Sequence, residues 1–135
     1  MFNLISKIAP HLWIGDMVST SLAPRGTIIV FAAKEYQPRR KRSIHVPLDD
    51  DPSGPTPDEA ERALKAASRV ADLVRDGQSV LVTCFQGRNR SGLISALALV
   101  ELEGISGAEA VEKVRIARPE ALRNPGFVDF LEQIP

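Results

Sequence analysis

VLVTCFQGRNRSGLIS, running from Val80 to Ser95, holds the only cysteine of a 135-residue chain. Apolar and β-branched residues lead into Cys84 and read as a buried strand, and the apolar, Ala-rich segment after Arg90 reads as a helix. Between them lies the string C-x-x-G-x-x-R-S. A lone cysteine at a strand's end is usually a small buried hydrophobe. The company of Cys84 argues otherwise. A loop leading into a helix N-terminus turns successive backbone N–H groups into one concavity that suits an anion. Gly87 lets the backbone curl tightly around a tetrahedral oxyanion. Arg90 can chelate two oxygens of a phosphoryl group at once, which lysine cannot. Amide dipoles and a guanidinium also favour the thiolate, so the features that bind phosphate would activate a nucleophile.

The rest of the composition sets limits. Length predicts one domain, residues 1–135, large enough for a real core. Seventeen basic residues balance seventeen acidic ones, so nothing global argues for nucleic-acid or membrane binding, and anion affinity must be local. One cysteine cannot form an internal disulfide. The opening MFNLISKIAPHLW lacks a charged segment followed by a long apolar one, and no window approaches the ~18 apolar residues of a membrane span. The expectation is a reduced, cytoplasmic setting.

Along the chain, His11–Gly15, Thr27–Ala33, Arg42–Leu48 and Ser79–Thr83 read as strands, the second and last apolar enough to be central. DDDPSGPTP (residues 49–57) is a loop ending in a capping box, Thr56-Pro57-Asp58-Glu59. Ala60, Ala63, Leu64, Ala67, Val70, Ala71 and Val74 then mark the inner face of a helix that Gly77 stops. A helix over Ser91–Glu103 is apolar almost all round and reads as buried. Ser106-Gly107-Ala108-Glu109 opens another, closed by Pro119, and Asn124-Pro125 starts a last helix with Phe127, Phe130 and Leu131 inward. The predicted class is α/β: a mostly parallel central sheet of four or five strands flanked by helices, with the cysteine loop between strand and helix.

The cysteine loop resembles the phosphate-binding signature of cysteine-dependent protein tyrosine phosphatases, in their small dual-specificity-like branch. KIAPHLWIGD (residues 7–16) is similar to the family's opening strand and turn, IHVPLDDDP (residues 44–52) to the approach to its acid loop, and VRIARPEALRNPGF (residues 114–127) to its late helical region. The resemblance implies that Cys84 is the nucleophile and forms a cysteinyl phosphate. It implies that the amides of Phe85, Gln86, Gly87, Arg88, Asn89 and Arg90, with the Arg90 guanidinium, hold the phosphoryl oxygens. Ser91 would donate to the departing sulfur, its simpler role being a helix N-cap. The general acid would be an aspartate before the helix that precedes the cysteine strand. Matching VPLDD to the family pattern puts Asp50 first, with Asp51 and Asp49 as alternatives. No cofactor and no metal is implied. Thr83 departs from the family, which has histidine there; the departure implies an altered network behind the thiolate and a shifted pH optimum.

Other residues carry weaker signals. His45 reads as structural, or as positioning the acid loop, and His11 as a surface residue. Arg39-Arg40-Lys41-Arg42 reads as a solvated loop, or as a second anion site for an acidic or lipid substrate. Arg88 offers a cation to a second phosphate, Asn89 a brace for the loop, and Gln86 a position for water. The expected function is a phosphomonoester hydrolase acting on phosphorylated protein, without a membrane or nucleic-acid partner. RNA 5′-triphosphatase or phosphoinositide phosphatase activity on the same fold is the runner-up, favoured by G-x-N-R but opposed by the aspartate triplet. A phosphate-binding module without turnover, or a rhodanese-type sulfurtransferase, fits less well.

Overall fold

The computed structural model describes residues 4–135; the first three residues of the opening segment lie outside it. Five strands, β1 (Ile5–Ala9), β2 (Leu12–Asp16), β3 (Ile28–Ala33), β4 (Ser43–Leu48) and β5 (Val80–Cys84), form one sheet in the order β1-β2-β5-β3-β4. β1 pairs antiparallel with β2, while β2/β5, β5/β3 and β3/β4 are parallel. Four helices follow: α1 (Pro57–Arg75), α2 (Arg90–Glu103), α3 (Gly107–Ala117) and α4 (Pro125–Glu132). This is the expected α/β class. β1 is the strand the sequence reading did not resolve: only Ser6 and Ile8 are buried in it, and His11 turns the chain straight into β2 with φ 67°.

β5 is buried along its whole length, as a central strand between two parallel neighbours must be. Its alternation divides the core. Val80, Val82 and Cys84 join the large cluster that takes in the buried apolar residues of all four helices. Leu81 joins Ile29 and Phe31 in a smaller cluster on the opposite face, where Trp13 and Ala23 pack. The helices therefore bank on one face instead of flanking both, while β3 is covered on both sides as its apolar run predicts.

Both capping boxes are present: Thr56 with Glu59 on α1, and Ser106 with Glu109 on α3. On α1 the buried face runs through Ala63, Ala66, Ala67, Val70 and Ala71, whereas Leu64 is exposed. That corrects the expected stripe; the helix presents its small residues to α2 and keeps the bulkier Leu64 outside. α2 is buried from Arg90 through Leu99 and ends on Gly104 in the left-handed region. Its first residue is Arg90 and its N-cap is Asn89, so Ser91 lies inside the first turn and is not the cap. Phe127 and Leu131 of α4 are fully buried, and Phe130 is only partly so. No single helix among the described residues is long and apolar enough to cross a membrane.

Candidate active site

The C-terminal ends of three adjacent parallel strands open on the same side of the sheet, where ligands of parallel α/β sheets usually bind. β5 ends at Cys84 and runs into the loop that starts α2. β4 ends at Leu48 and runs into the aspartate triplet, and β3 ends at Ala33, two residues before Glu35. Strand pairing thus brings together residues that are far apart in sequence.

Cys84 is buried, with its Sγ hydrogen bonded to Ser91 Oγ at 3.1 Å. Asp50, Cys84, Phe85, Gln86, Arg88, Asn89 and Arg123 line one cleft of ≈170 Å³. The loop above the sulfur depends on Gly87, whose φ is 67°, and a Cβ there would lie 2.4 Å from the carbonyl carbon of Gly15. Both the left-handed backbone and this close approach require glycine. Arg118, itself buried, donates to Gly87 O at 2.7 Å and to Gln86 O at 3.1 Å, and Leu122 N donates to Arg88 O at 3.0 Å. Three successive carbonyls are therefore held on the side of the α3–α4 connection. Planar trans peptides then turn the N–H groups of Gly87, Arg88 and Asn89 to the other side. Burial pulls the Arg118 guanidinium down from its ordinary value, and Glu120 and Asp16 oppose that pull.

Arg90 is fixed before any ligand arrives. Its Nη1 and Nη2 donate to the two carboxylate oxygens of Glu35 at 2.6 and 2.8 Å, and Nη1 also donates to Leu48 O at 3.1 Å. The Nε is buried and has no hydrogen-bond partner among the described residues. A buried donor left open is costly and marks a place for an acceptor. The hydrogen bond from Arg90 lowers Glu35 from 4.5 to about 2, against a smaller upward push from burial. The same bond holds Arg90 above its usual range, with the Cys84 and Asp50 charges adding to it.

The aspartates separate clearly. Asp50 accepts from Asn89 Nδ2 at 2.9 Å and from Asn124 Nδ2 at 2.7 Å, one amide on each carboxylate oxygen. Asp51 does not line the cleft; it accepts from Ser53 N and Oγ in a local turn, bonds that hold it below its usual range. Asp49 is exposed and pairs with Lys34 at 3.4 Å. The loop's start is held by Glu59, which accepts from Asp49 N at 2.7 Å while completing its capping box. Burial pushes Glu59 up, but the bonds from Asp49 and Thr56 outweigh it and the net shift is downward. The loop's far side packs on α4, where a Cβ on Gly126 would lie 2.1 Å from Gly54 N.

Asn124 joins two elements: its Oδ1 caps α4 through Phe127 N, and its Nδ2 holds Asp50 and the Asp51 carbonyl. Asn89 braces the loop as expected, accepting from Arg123 N and Asn124 N. Thr83 is fully buried and its hydroxyl donates to Val30 O at 2.8 Å, a bond to the neighbouring strand. The basic run lies elsewhere. Arg42 is tied to Gly26 O and Gln78 at the N-terminal end of the sheet, and none of the four residues lines the cysteine cleft. His45 stacks on Phe31 and bonds Pro38 O, a structural role.

Sequence reasoning did not find Glu35 or Arg118. Glu35 stands in AAKEYQP with no local mark, and only strand order aims it at Arg90. Arg118 belonged to the ARP segment already matched to the family's late region, but its bonds to the loop carbonyls need the folded chain.

Residues 25–134 match the family model described as dual specificity phosphatase, catalytic domain. Human dual specificity phosphatase 28 is 30% identical over 94% of this chain and 75% of its own length. Dual specificity protein phosphatase 1B of Arabidopsis thaliana is 38% identical over 49% of this chain and 40% of its own length. The crystal structure of human DUSP28 superposes with a TM-score of 0.80 at 28% identity, covering 98% of this chain and 93% of that one. With its thiol, guanidinium and carboxylates gathered at the ends of three parallel strands, the chain belongs to the dual specificity phosphatase family of protein phosphatases.

Proposed function

We propose that the chain hydrolyses phosphate monoesters on protein side chains, with Cys84 as nucleophile and Asp50 as general acid. The observation that carries this reading is that Asp50 and Cys84 line a single cleft together with the phosphate-binding loop. In the first step Sγ attacks phosphorus and the P–O ester bond breaks. The leaving oxygen takes the proton of the Asp50 carboxyl group. The loop amides and the open Nε edge of Arg90 stabilise the charge on the equatorial oxygens. Glu35 keeps that edge pre-oriented, so little reorganisation is needed at the moment of reaction. In the second step water attacks phosphorus and the Asp50 carboxylate takes its proton. The S–P bond breaks with its electron pair returning to sulfur, and Ser91 Oγ donates to the thiolate that forms. Phe85, which lines the cleft, is 54% exposed and leaves that wall open to solvent. A shallow site of this kind supports phosphoserine and phosphothreonine beside phosphotyrosine.

The test is a substrate panel of p-nitrophenyl phosphate, phosphotyrosyl and phosphoseryl peptides, triphosphate-ended RNA and a phosphoinositide, with Cys84→Ser as the inactive control. Turnover of phosphopeptides well above RNA and lipid, with vanadate inhibition, is the expected result. Preferential release from triphosphate-ended RNA would overturn the protein-substrate reading.

A further inference from the structure

Beside the cysteine cleft lies a second, larger hollow of ≈390 Å³, whose lining includes Leu4, Val18, Phe85, Asp16, Arg88 and Glu120. Phe85, Gln86 and Arg88 line both spaces, so the two open side by side with one wall in common. Three of the seven large hydrophobic side chains exposed among the described residues border this hollow: Leu4 at 49%, Val18 at 78% and Phe85 at 54%. Scattered exposed apolar residues need no explanation, whereas a cluster of them around a concavity marks a binding surface.

We propose that this hollow receives a large apolar side chain next to the phosphorylated residue of a peptide substrate, and so determines sequence preference. The inference rests on the phosphopeptide reading above. Continuity with the cleft supplies the adjacency: the two spaces share the wall formed by Phe85, Gln86 and Arg88, so a peptide whose phosphoryl group sits over Cys84 has the hollow directly beside it. Charge supplies the class of partner. Glu120 lies 3.7 Å from Arg118 Nε, Asp16 accepts from Val18 N, and both acidic residues line the hollow. The lining carries two carboxylates, Asp16 and Glu120, and two guanidiniums, Arg88 and Arg118, so its formal charge balances, which suits an uncharged side chain and gives an anionic lipid headgroup no excess of cations. Arg118 donates to the loop carbonyls and to Ser6 Oγ at 2.9 Å, and Arg88 lines both spaces.

Phosphotyrosyl peptides carrying leucine, alanine or glutamate immediately before or after the phosphotyrosine test the proposal, with p-nitrophenyl phosphate measured in parallel. In the unmodified protein, leucine at one flank should raise kcat/KM about tenfold over alanine, as burial of an aliphatic side chain allows, and glutamate should fall below alanine. Val18→Asp, at a position open to solvent, should bring the leucine-to-alanine ratio close to one, each variant being normalised to its own rate on p-nitrophenyl phosphate. Val18→Ser should give an intermediate ratio. Peptides all turned over with equal efficiency would overturn the hollow and leave the phosphatase reading standing. Turnover of p-nitrophenyl phosphate with none of any peptide would overturn both. A phosphoinositide used faster than every peptide, and slowed by Val18→Asp, would assign the hollow to an acyl chain instead.

Discussion

Glu35 and Arg90 stand 55 residues apart in sequence and meet in a two-pronged ion pair, with N–O distances of 2.6 and 2.8 Å. The guanidinium is buried, whereas the carboxylate remains half open to solvent. The pair fixes the rotation of Arg90 about its long side chain and leaves its buried Nε without a hydrogen-bond partner among the described residues. Desolvating one arginine without a partner would be costly, and Glu35 offsets that cost in the absence of phosphate.

Glu35→Gln keeps the shape and removes the charge. We expect kcat/KM to fall about ten- to a hundredfold, the scale of a misplaced catalytic group. The pH dependence gives a separate readout. Glu35 is depressed from 4.5 to about 2, so its stabilising contribution is complete above the higher value and fades as pH falls toward the lower one. The Tm difference between wild type and Glu35→Gln should be constant near neutrality and shrink through that acid window. A Tm difference independent of pH would contradict the pairing.

The aspartates can be ranked by leaving group. Asp50→Asn should slow turnover of poor leaving groups about 10²- to 10⁴-fold, the range of general acid catalysis, with much less effect on good ones. Asp51→Asn keeps an acceptor for the Ser53 turn and removes only the charge, and Asp49→Asn loses only a surface pair with Lys34, so both should stay near wild type. A larger effect at either position would move the acid.

Gly87→Ala forces a side chain into the left-handed region and against Gly15. Strain and overpacking together should cost roughly 2–5 kcal/mol. The same change pushes the loop off the Arg118 anchor, so vanadate should lose affinity in whatever fraction folds. Thermal denaturation and vanadate titration read the two effects independently. Unchanged vanadate affinity would mean that the loop does not depend on this turn.

Ser91→Ala tests the sulfur's return. The hydroxyl is buried and 3.1 Å from Sγ, and alanine suits a helix interior. Loss of a hydrogen bond to a developing thiolate should slow breakdown of the cysteinyl phosphate about ten- to a hundredfold. Rapid-mixing kinetics with p-nitrophenyl phosphate should then display a burst of p-nitrophenol followed by a slow steady rate. A steady rate without a burst, slowed to the same degree, would place Ser91 in the first step instead.

Local chemistry was legible in the chain. The capping boxes at Thr56 and Ser106, the Asn124-Pro125 helix start and the Gly104 stop rest on contacts within a few residues, which sequence spacing alone specifies. The Cys84–Arg90 loop belongs with them, because strand, loop and helix N-terminus are contiguous. Leu64 and β1 were misread or missed for the opposite reason. Which face of an alanine-rich helix is buried, and whether a short half-exposed strand pairs, depends on neighbours that spacing does not name.

The cysteine loop and the set of aspartates can be read from the chain alone. Which groups surround that loop depends on how distant segments pack. Glu35 comes from the end of β3, Asp50 from the end of β4 and Arg118 from the end of α3, and each is selected by strand order and helix packing. Asp50 is distinguished from Asp51 by two asparagine amides 39 and 74 residues away. Hydrogen bonds and ion pairs act over about 3 Å, and no spacing rule along a chain encodes a contact of that range between distant segments.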